Sequence, residues 1–290
     1  MSRILITGKN GQVGYELERS LQGLGEIIAL DRSQMDLADL DQVRDVIRRI
    51  KPTLIVNPAA YTAVDKAESE PELALRINGE APGVMAEEAK KLGAAMIHYS
   101  TDYVFDGSKD GPYVETDPTC PINVYGSSKL AGEQAIQATG IPHLILRTSW
   151  VYSTHGKNFL LTMLRLAKER EELSIVSDQF GAPTWSRTIA DTTAHIVAQS
   201  LVAADQQAWW AERAGLYHLT AQSNTTWFGF TEAIMADPSV TKKPKLKPIL
   251  AQDYPVPAKR PTNSLMSSQR LINTFCSLPQ WHEALKLCMG

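Results

Sequence analysis

The stretch ITGKNGQVGYEL, residues 6–17, joins a short apolar run to an amphipathic segment through three regularly spaced glycines. Gly8, Gly11 and Gly14 stand at GxxGxxG spacing directly after the run RILI. The first glycine permits a tight turn, the second lets the backbone approach a pyrophosphate, and the third lets helix and strand pack closely. A helix N-terminus at this point attracts an anion. A plain strand-to-helix turn has the same glycines, but in this context the spacing predicts a dinucleotide-binding loop.

Outward from this loop, short apolar runs alternate with amphipathic stretches along most of the chain. Residues 54–56 are apolar on both faces, which is typical of parallel strands covered by helices on each side. The alternation predicts an α/β fold with a doubly wound parallel sheet of the Rossmann type. Further strands are predicted within HLILRTS (143–149), LSIVSDQ (173–179) and LYHLTA (216–221), and helices over about 157–168 and 189–203.

The local amino-acid composition changes from about residue 237. Prolines occur at positions 238, 244, 248, 255, 257 and 261, and the basic stretch KKPKLK, residues 242–247, is interpreted as a solvated loop. We expect a smaller, loop-rich C-terminal substrate domain. Residues 1–145 plus about 185–222 are assigned to the dinucleotide-binding domain, and about 146–184 plus 223–290 to the substrate-binding domain.

Composition and charge exclude several classes of protein. Of 290 residues 21% are charged, and the net charge of -3 lacks the basic excess that nucleic-acid binding needs. The three cysteines, Cys120, Cys276 and Cys288, include no short-spaced pair, so neither a disulfide framework nor a zinc site is indicated. The first apolar run is too short for a signal peptide, and no run approaches the ~20 residues of a spanning helix. We expect a cytoplasmic protein that binds neither nucleic acid nor membrane.

The residues after the second predicted strand bear on the choice of cofactor. Asp31 follows the run EIIAL at the usual distance for an acid that hydrogen-bonds the adenosine ribose. Its neighbour Arg32 is suited instead to a 2′-phosphate. The sequence therefore leaves both NADH and NADPH open.

The segment YGSSK, residues 125–129, places a tyrosine and a lysine on one face of a predicted helix. Side chains at i and i+4 have Cβ atoms roughly 5–6 Å apart. Free tyrosine has a pKa of about 10 and an adjacent ammonium group favours the phenolate, so we expect Lys129 to lower the pKa of Tyr125. Such a pair gives a proton to an oxygen that gains negative charge, the complement of hydride delivery to a carbonyl carbon. A lone YxxxK pair also occurs on helix surfaces, so context decides its meaning.

That context consists of longer stretches, which are VNPAAYTAVDKAESEPELA (56–74), HYSTDYVFDG (98–107), NVYGSSKLAGE (123–133), LRTSWVY (146–152) and DQFGAPT (178–184). Together with the glycine loop they resemble the extended short-chain dehydrogenase/reductase family and, within it, the dTDP-4-dehydrorhamnose reductases. The resemblance covers nearly the whole chain and weakens after about residue 222. It implies reduction of the 4-keto group of a dTDP-4-dehydro-6-deoxy-L-sugar by NADPH or NADH, which gives dTDP-L-rhamnose for bacterial surface polysaccharides.

The resemblance also assigns roles to individual positions. Thr101 corresponds to the residue that hydrogen-bonds the substrate carbonyl, Tyr125 to the proton donor, and Lys129 to its partner, which also holds the nicotinamide ribose. Asp102 and Trp150 are expected to touch the sugar nucleotide. The expected cofactor site consists of Gly8, Gly11, Gln12, Val13, Gly14, Asp31, Arg32, Asp36, Leu37, Ala60, Tyr61, Thr62, Tyr99, Tyr125 and Lys129.

Three further positions have plainer interpretations. Without the resemblance, Trp150 at the end of LILRTSW would be read as filling a gap in the core. His98, within a predicted strand, is interpreted as a core residue with no catalytic role. Arg187 stands where some relatives carry an acid implicated in magnesium binding between subunits, so no metal site is predicted.

Two alternative functions stay open. The regulatory β subunit of methionine adenosyltransferase resembles the same family, so a non-catalytic nucleotide-binding subunit is one of them, although intact Thr101, Tyr125 and Lys129 favour an enzyme. The other is an epimerase or dehydratase of the extended family, which retains its cofactor and returns the hydride. The sugar stereochemistry, the nucleotide base and the oligomeric state, a homodimer included, also stay open.

Overall fold

A computed structural model describes residues 2–290, in which strands and helices alternate through most of the chain. The first half contains β1 (Arg3–Ile6), α1 (Gln12–Ser20), β2 (Glu26–Ala29), α2 (Leu40–Ile50), β3 (Leu54–Asn57), α3 (Val64–Ala67), α4 (Pro71–Leu75), α5 (Ala81–Leu92), β4 (Ala95–Thr101), α6 (Val124–Thr139) and β5 (His143–Thr148). The second half contains β6 (Val151–Tyr152), α7 (Phe159–Glu169), β7 (Glu172–Val176), β8 (Phe180–Gly181), β9 (Thr184–Trp185), α8 (Ser186–Leu201), α9 (Gln206–Arg213), β10 (Gly215–His218), β11 (Thr225–Thr226), α10 (Trp227–Ala236), β12 (Lys245–Ile249), α11 (Gln269–Thr274) and α12 (Trp281–Met289). A π-helical turn, Arg76–Glu80, joins α4 to α5, and 3-10 turns cover Asp102–Val104 and Ala251–Asp253.

Six parallel strands form the main sheet in the order β10-β5-β4-β3-β1-β2. The register sets Ile4 beside both Ile27 and Leu54, and Asn57 beside His98. Because β1 lies between β2 and β3, the strand order reverses at β1. This confirms the doubly wound sheet expected from the sequence, and such sheets bind ligands at the carboxyl ends of the strands where the order reverses.

Helices cover both faces of this sheet, as its apolar strands require. Leu17 of α1 and Ile196 of α8 belong to the core on one face, and Val43 of α2 and Met85 of α5 belong to the core on the other. Burying a side chain of this size contributes about 1.5–3 kcal/mol. Helix α8 begins at Ser186, earlier than the expected 189, because β9 leads directly into it.

A second apolar cluster lies outside the main sheet. It includes Tyr152, Met163, Ile175 and Phe230, which come from β6, α7, β7 and α10. The predicted strand LSIVSDQ belongs to this region, since β7 pairs in parallel with β12 and not with the main sheet. Among residues 2–290, no helix has the length and apolarity needed to cross a bilayer.

The interpretation of KKPKLK as a loop is wrong for its second half. Lys245 begins β12, which is exposed at Lys245 and Lys247 and half-buried at Leu246 between them. Exposed lysines are common on the edge strands of sheets because they discourage further pairing. Their charge is therefore compatible with a strand.

Candidate active site

Loops at the carboxyl edge of the main sheet carry most of the sequence-predicted site residues. The glycine loop follows β1, Asp31 follows β2, the segment 58–62 follows β3, and Thr101 ends β4. Trp150 lies in the turn between β5 and β6. Since the carboxyl ends of parallel strands share one edge, the fold places these residues around one crevice.

The glycine loop and the start of α1 form a cradle that fits a pyrophosphate. A β-carbon on Gly14 would overlap the carbonyl of Gly8, so the loop and the helix can meet only without a side chain there. Gly11 is the N-cap of α1 and supplies no side-chain hydrogen bond, which leaves the first helical amides without a side-chain acceptor. Oε1 of Gln12 is buried and has no partner within residues 2–290. The close packing of the glycines and the uncapped amides at the start of α1 suit a bound anion and support the predicted cofactor loop.

The acid after β2 is ionised and is paired with a lysine that sequence reasoning missed. The amide and hydroxyl of Ser33 donate to Oδ1 of Asp31 at 2.9 and 2.6 Å. With the Lys9 ammonium 3.8 Å from Oδ2, these bonds hold the pKa of Asp31 below its usual range. Arg32 instead pairs with Asp36 at 3.2 Å, and its side chain is 75% exposed. The cation beside the expected ribose acid is therefore Lys9, which lies inside the glycine loop.

The loop after β3 and the end of β4 are held through their backbone. Tyr61 N donates to Oδ1 of Asn78 at 2.8 Å, and Nδ2 of Asn78 donates to Tyr61 O at 3.0 Å. The Tyr99 side chain is buried, with its hydroxyl 2.7 Å from that of Thr193. Tyr99 therefore faces Lys129 with its carbonyl oxygen, which accepts a hydrogen bond of 2.6 Å. Ala60 and Thr62 share the loop of Tyr61, and Asp36 and Leu37 lie on the loop after β2.

Lys129 is almost fully buried beside the end of β4. Its Nζ donates to Tyr99 O and lies 3.2 Å from Nε2 of His98. Burial lowers the pKa of Lys129 to about 8, against the opposite effect of Glu133 one turn along α6. The ammonium group is thus directed at acceptors on β4.

Tyr125 precedes Lys129 by one helical turn, but the lysine does not tune it as expected. Burial raises the pKa of Tyr125 to about 12, while the nearby Thr101 hydroxyl lowers it. The expectation that Lys129 lowers this pKa is wrong for the structure, because burial dominates and the ammonium group bonds elsewhere. Tyr125 therefore keeps its proton at neutral pH.

Thr101 and Asp102 complete the buried polar group at the end of β4. The Thr101 hydroxyl donates to Oδ1 of Asp102 at 3.1 Å, while Oδ2 is buried and has no partner within residues 2–290. Burial raises the pKa of Asp102 to about 6, with Ser264 and Thr101 acting in the opposite direction. An acceptor that is buried and unpaired here suits a hydroxyl group of a bound ligand.

Trp150 adopts a strained backbone in order to stack on a second tryptophan. Its φ is +50°, a left-handed value that costs a non-glycine residue about 1–3 kcal/mol. Its ring stacks on Trp227 with 3.6 Å between centroids, and Gly181 leaves room that a β-carbon would fill. Trp150 is half-buried, so it is not simply a core residue. Trp227 lies 77 positions away along the chain, so no local pattern predicts this pair.

A segment near the C-terminus, residues 258–266, contacts the start of α6, and we call it the strap. Both terminal nitrogens of Arg260 donate to the carboxylate of Asp65 on α3 at 2.9 Å. Nδ2 of Asn123 donates to Lys259 O at 2.8 Å, while its Oδ1 caps α6 by accepting from Gly126 N. One side chain therefore joins the strap to the helix that carries Tyr125.

Arg187, at the position where some relatives carry an acid implicated in magnesium binding, forms an ion pair. Arg187 Nε lies 3.8 Å from Oδ2 of Asp191, one turn along α8. Within the part of the chain that the structure describes, no three His, Cys, Asp or Glu side chains converge.

The main sheet is doubly wound, a glycine loop follows its first strand and an acid its second, and Thr101, Tyr125 and Lys129 stand at its carboxyl edge. Together these features define a dinucleotide-dependent enzyme of the extended short-chain dehydrogenase/reductase type. The family model described as the RmlD substrate binding domain matches residues 1–290, and the chain belongs to this family.

Individual relatives agree with this assignment. The chain is 50% identical over 294 residues to a Burkholderia thailandensis protein named dTDP-4-dehydrorhamnose reductase, covering 99% of this chain and 98% of that one. It is 47% identical to the Escherichia coli K12 protein of the same name, covering 98% and 95%. The Bacillus anthracis dTDP-4-dehydrorhamnose reductase solved in complex with NADP has a TM-score of 0.91 at 34% identity, covering 100% of this chain and 99% of that one.

Proposed function

We propose that the chain reduces the 4-keto group of a dTDP-4-dehydro-6-deoxy-L-sugar to give dTDP-L-rhamnose, with NADPH or NADH as cofactor. The observation that carries this proposal is the group formed by buried Thr101 and Asp102 with half-buried Tyr125, at the same edge of the sheet as the glycine loop. The relatives named dTDP-4-dehydrorhamnose reductase at 50% and 47% identity support the substrate.

The proposed cofactor site lies along the carboxyl edge from β2 to β4. The glycine loop with Gln12 and Val13 holds the pyrophosphate, Asp31 accepts from the adenosine ribose, and Lys129 holds the nicotinamide ribose. When bound, the reduced nicotinamide supplies a hydride to the carbonyl carbon of the sugar. The NADP complex of the Bacillus anthracis relative supports NADPH, and the ionised Asp31 supports NADH as well.

Tyr125 supplies the proton. As a C–H bond forms at C4, the C=O double bond becomes single and its oxygen gains negative charge. An alkoxide is a much stronger base than a phenolate, so the proton leaves Tyr125 even with a pKa of about 12. The raised pKa ensures that the hydroxyl group holds a proton at neutral pH. The Thr101 hydroxyl stabilises the developing charge with a second hydrogen bond once its proton turns from Oδ1 of Asp102 to the substrate oxygen.

Asp102 and Trp150 hold the sugar nucleotide. The unpaired Oδ2 of Asp102 accepts a hydrogen bond from a substrate hydroxyl, and the stacked Trp150 and Trp227 offer a rigid aromatic surface. The second apolar cluster supports two domains with separate roles. Residues 1–145 plus 185–222 bind the cofactor, and residues 146–184 plus 223–290 bind the substrate. The few cysteines support a cytoplasmic location, and we propose a homodimer that needs no nucleic acid or membrane.

The competing assignment is a non-catalytic nucleotide-binding subunit. The purified chain alone is mixed with a dTDP-4-keto-6-deoxy sugar and either NADPH or NADH, and oxidation of the cofactor is followed at 340 nm. We expect stoichiometric oxidation and a rhamnosyl product. Tight cofactor binding without oxidation supports the subunit, while a changed sugar without net oxidation supports an epimerase or dehydratase.

A further inference from the structure

A continuous string of buried polar side chains runs from the glycine loop to Lys129. The Thr7 hydroxyl lies 2.6 Å from Oδ1 of Asn57, the amide group of Asn57 lies 3.0 Å from Nδ1 of His98, and Nε2 of His98 lies 3.2 Å from Nζ of Lys129. All four side chains are at least 98% buried. Polar groups buried this deeply are costly unless they pair, so the string is a specific arrangement.

The string crosses three neighbouring strands and ties two parts of the site together. Asn57 and His98 are register partners on β3 and β4, and Thr7 N donates to Val56 O at 3.1 Å. Ala59 N donates to the Thr7 hydroxyl at 3.2 Å, and Ala59 packs against Gly8. Lys129 is thereby linked to the loop that holds the pyrophosphate.

The donors and acceptors along the string determine which ring nitrogen of His98 carries a proton. An ammonium group has only donors, and a neutral imidazole has one donor and one acceptor. When Lys129 is charged, Nε2 of His98 must therefore accept a hydrogen bond, which leaves the proton on Nδ1 to be donated. The Asn57 amide must then turn its oxygen towards the His98 ring and its NH₂ group towards Thr7. The structure has this amide the other way round, with Oδ1 beside Thr7 and Nδ2 beside His98. Because the oxygen and nitrogen of an amide are interchangeable in shape, the turned amide occupies the same positions.

We propose that His98 is a positioning residue for the reduction: as a neutral acceptor it holds the Lys129 ammonium group in place and keeps it charged. The inference rests on the proposed function. Burial and the neighbouring lysine both keep the pKa of His98 well below its usual value, so the ring accepts and does not compete as a second cation. The charged group that acts on Lys129 is Glu133 on α6, which is itself paired with Arg147 on β5 at 2.6 Å, and the hydroxyl of neighbouring Tyr99 is directed away to Thr193.

The test compares His98→Met with His98→Gln, two side chains of similar length that differ in the presence of an acceptor. We expect His98→Met to lower kcat about tenfold, as for loss of a hydrogen bond to a charged group. Without the acceptor the ammonium form is less stable, so the alkaline limb of the pH–rate profile moves to lower pH by about one unit. His98→Gln should stay within about threefold of wild type and keep the limb in place.

The matched control is His218→Gln, at a histidine that is equally buried on β10 but has no hydrogen-bond partner on either ring nitrogen within residues 2–290. It should leave the pH–rate profile unmoved. If the two His98 variants lose activity equally, in step with their melting temperatures and with no movement of the limb, His98 is only structural and the proposal is overturned.

A measurement on the wild-type chain does not depend on the variants folding. Nitrogen-15 NMR of the histidine rings, with and without NADP⁺ and with His98 assigned separately from the equally buried His218, should show that the His98 imidazole is neutral from pH 5 to 9 and carries its proton on Nδ1. A proton on Nε2, or a charged ring, overturns the proposal whether or not the enzyme reduces the expected sugar, which separates this inference from the function on which it rests.

Discussion

Burial sets the protonation of the side chains at the carboxyl edge of the sheet. It raises the pKa of Tyr125 to about 12 and that of Asp102 to about 6, and it lowers that of Lys129 to about 8. At neutral pH the site therefore holds a protonated tyrosine, an ionised aspartate and a charged lysine. A reductase needs these forms, since the acid must carry its proton before hydride transfer.

Asp102 should give the acidic limb of the pH–rate profile. Its raised pKa means that the carboxyl is protonated below about pH 6 and then donates where a substrate hydroxyl needs an acceptor. We expect kcat/KM to fall as the pH drops below about 6. Asp102→Asn should lower kcat/KM at pH 7.5 by roughly 10–100-fold, about 1.5–3 kcal/mol for a charged hydrogen bond, and should abolish the limb. An unchanged limb in Asp102→Asn would assign it to another group.

The loops after β1 and β2 together govern the choice of cofactor. Asp31 disfavours a 2′-phosphate, whereas Lys9 beside it favours one, so wild type should use both NADH and NADPH with kcat/KM values within roughly two decades, about 2.7 kcal/mol. Lys9→Gln should weaken NADPH binding about tenfold, as for loss of one charged contact. The matched control Arg32→Gln should change it less than about threefold, because Arg32 pairs with Asp36. Titration of cofactor fluorescence measures both, and a strict requirement for either cofactor contradicts the account.

The turn between β5 and β6 should act on the substrate and not on the fold. Trp150→Ala removes the ring that stacks on Trp227, and it leaves the second apolar cluster intact. We expect kcat/KM for the sugar to fall by at least tenfold with NADPH affinity unchanged. Melting temperature should change by less than about 3 °C, since Trp150 is half-buried and lies outside the second apolar cluster. A fall in stability without an effect on KM or kcat would instead assign Trp150 to the core.

Local sequence patterns predicted the strands, helices and motifs. They could not predict the burial of individual side chains or the contacts between residues far apart in the chain. The spacing of Gly8 to Gly14 and the four-residue step from Tyr125 to Lys129 are properties of single loops and helices, so they are readable in the sequence. The contacts of Lys129 with His98 and Tyr99 join α6 to β4, and the pair of Arg260 and Asp65 spans 195 positions. The direction of a pKa shift depends on such contacts, which explains why the expected effect of Lys129 on Tyr125 was wrong.

At the scale of the whole molecule, the buried charge of Lys129 should lower the free energy of unfolding, although the residue serves the proposed reaction. Its pKa is near 8 in the folded chain and 10.5 when unperturbed, so below pH 8 the folded state carries the full cost of the buried ammonium group. Lys129→Met should raise the free energy of unfolding at pH 7 by on the order of 1–3 kcal/mol. This gain in the free energy of unfolding should shrink as the pH rises from 8 towards 10.5, because Lys129 of the wild-type chain then releases its proton on folding and no longer buries a charge.

Urea unfolding at pH 7 and pH 10 measures this difference, with the exposed Lys168→Met as control. The same variant should bind NADPH more weakly, since Lys129 also holds the nicotinamide ribose. A Lys129→Met chain that is less stable than wild type at pH 7 would show that the ammonium group is a net stabiliser.

The central claim is that Tyr125 gives the proton, and single-turnover reduction of the dTDP-4-keto sugar by Tyr125→Phe tests it most directly. The variant keeps the ring and loses one hydroxyl, so the rate should fall about 10²–10⁴-fold while NADPH affinity changes less than about threefold. Tyr103→Phe is the control, because that half-buried ring packs edge-on against Tyr125 with centroids 5.7 Å apart, and its rate should stay within about threefold. Near-wild-type turnover by Tyr125→Phe would contradict the account.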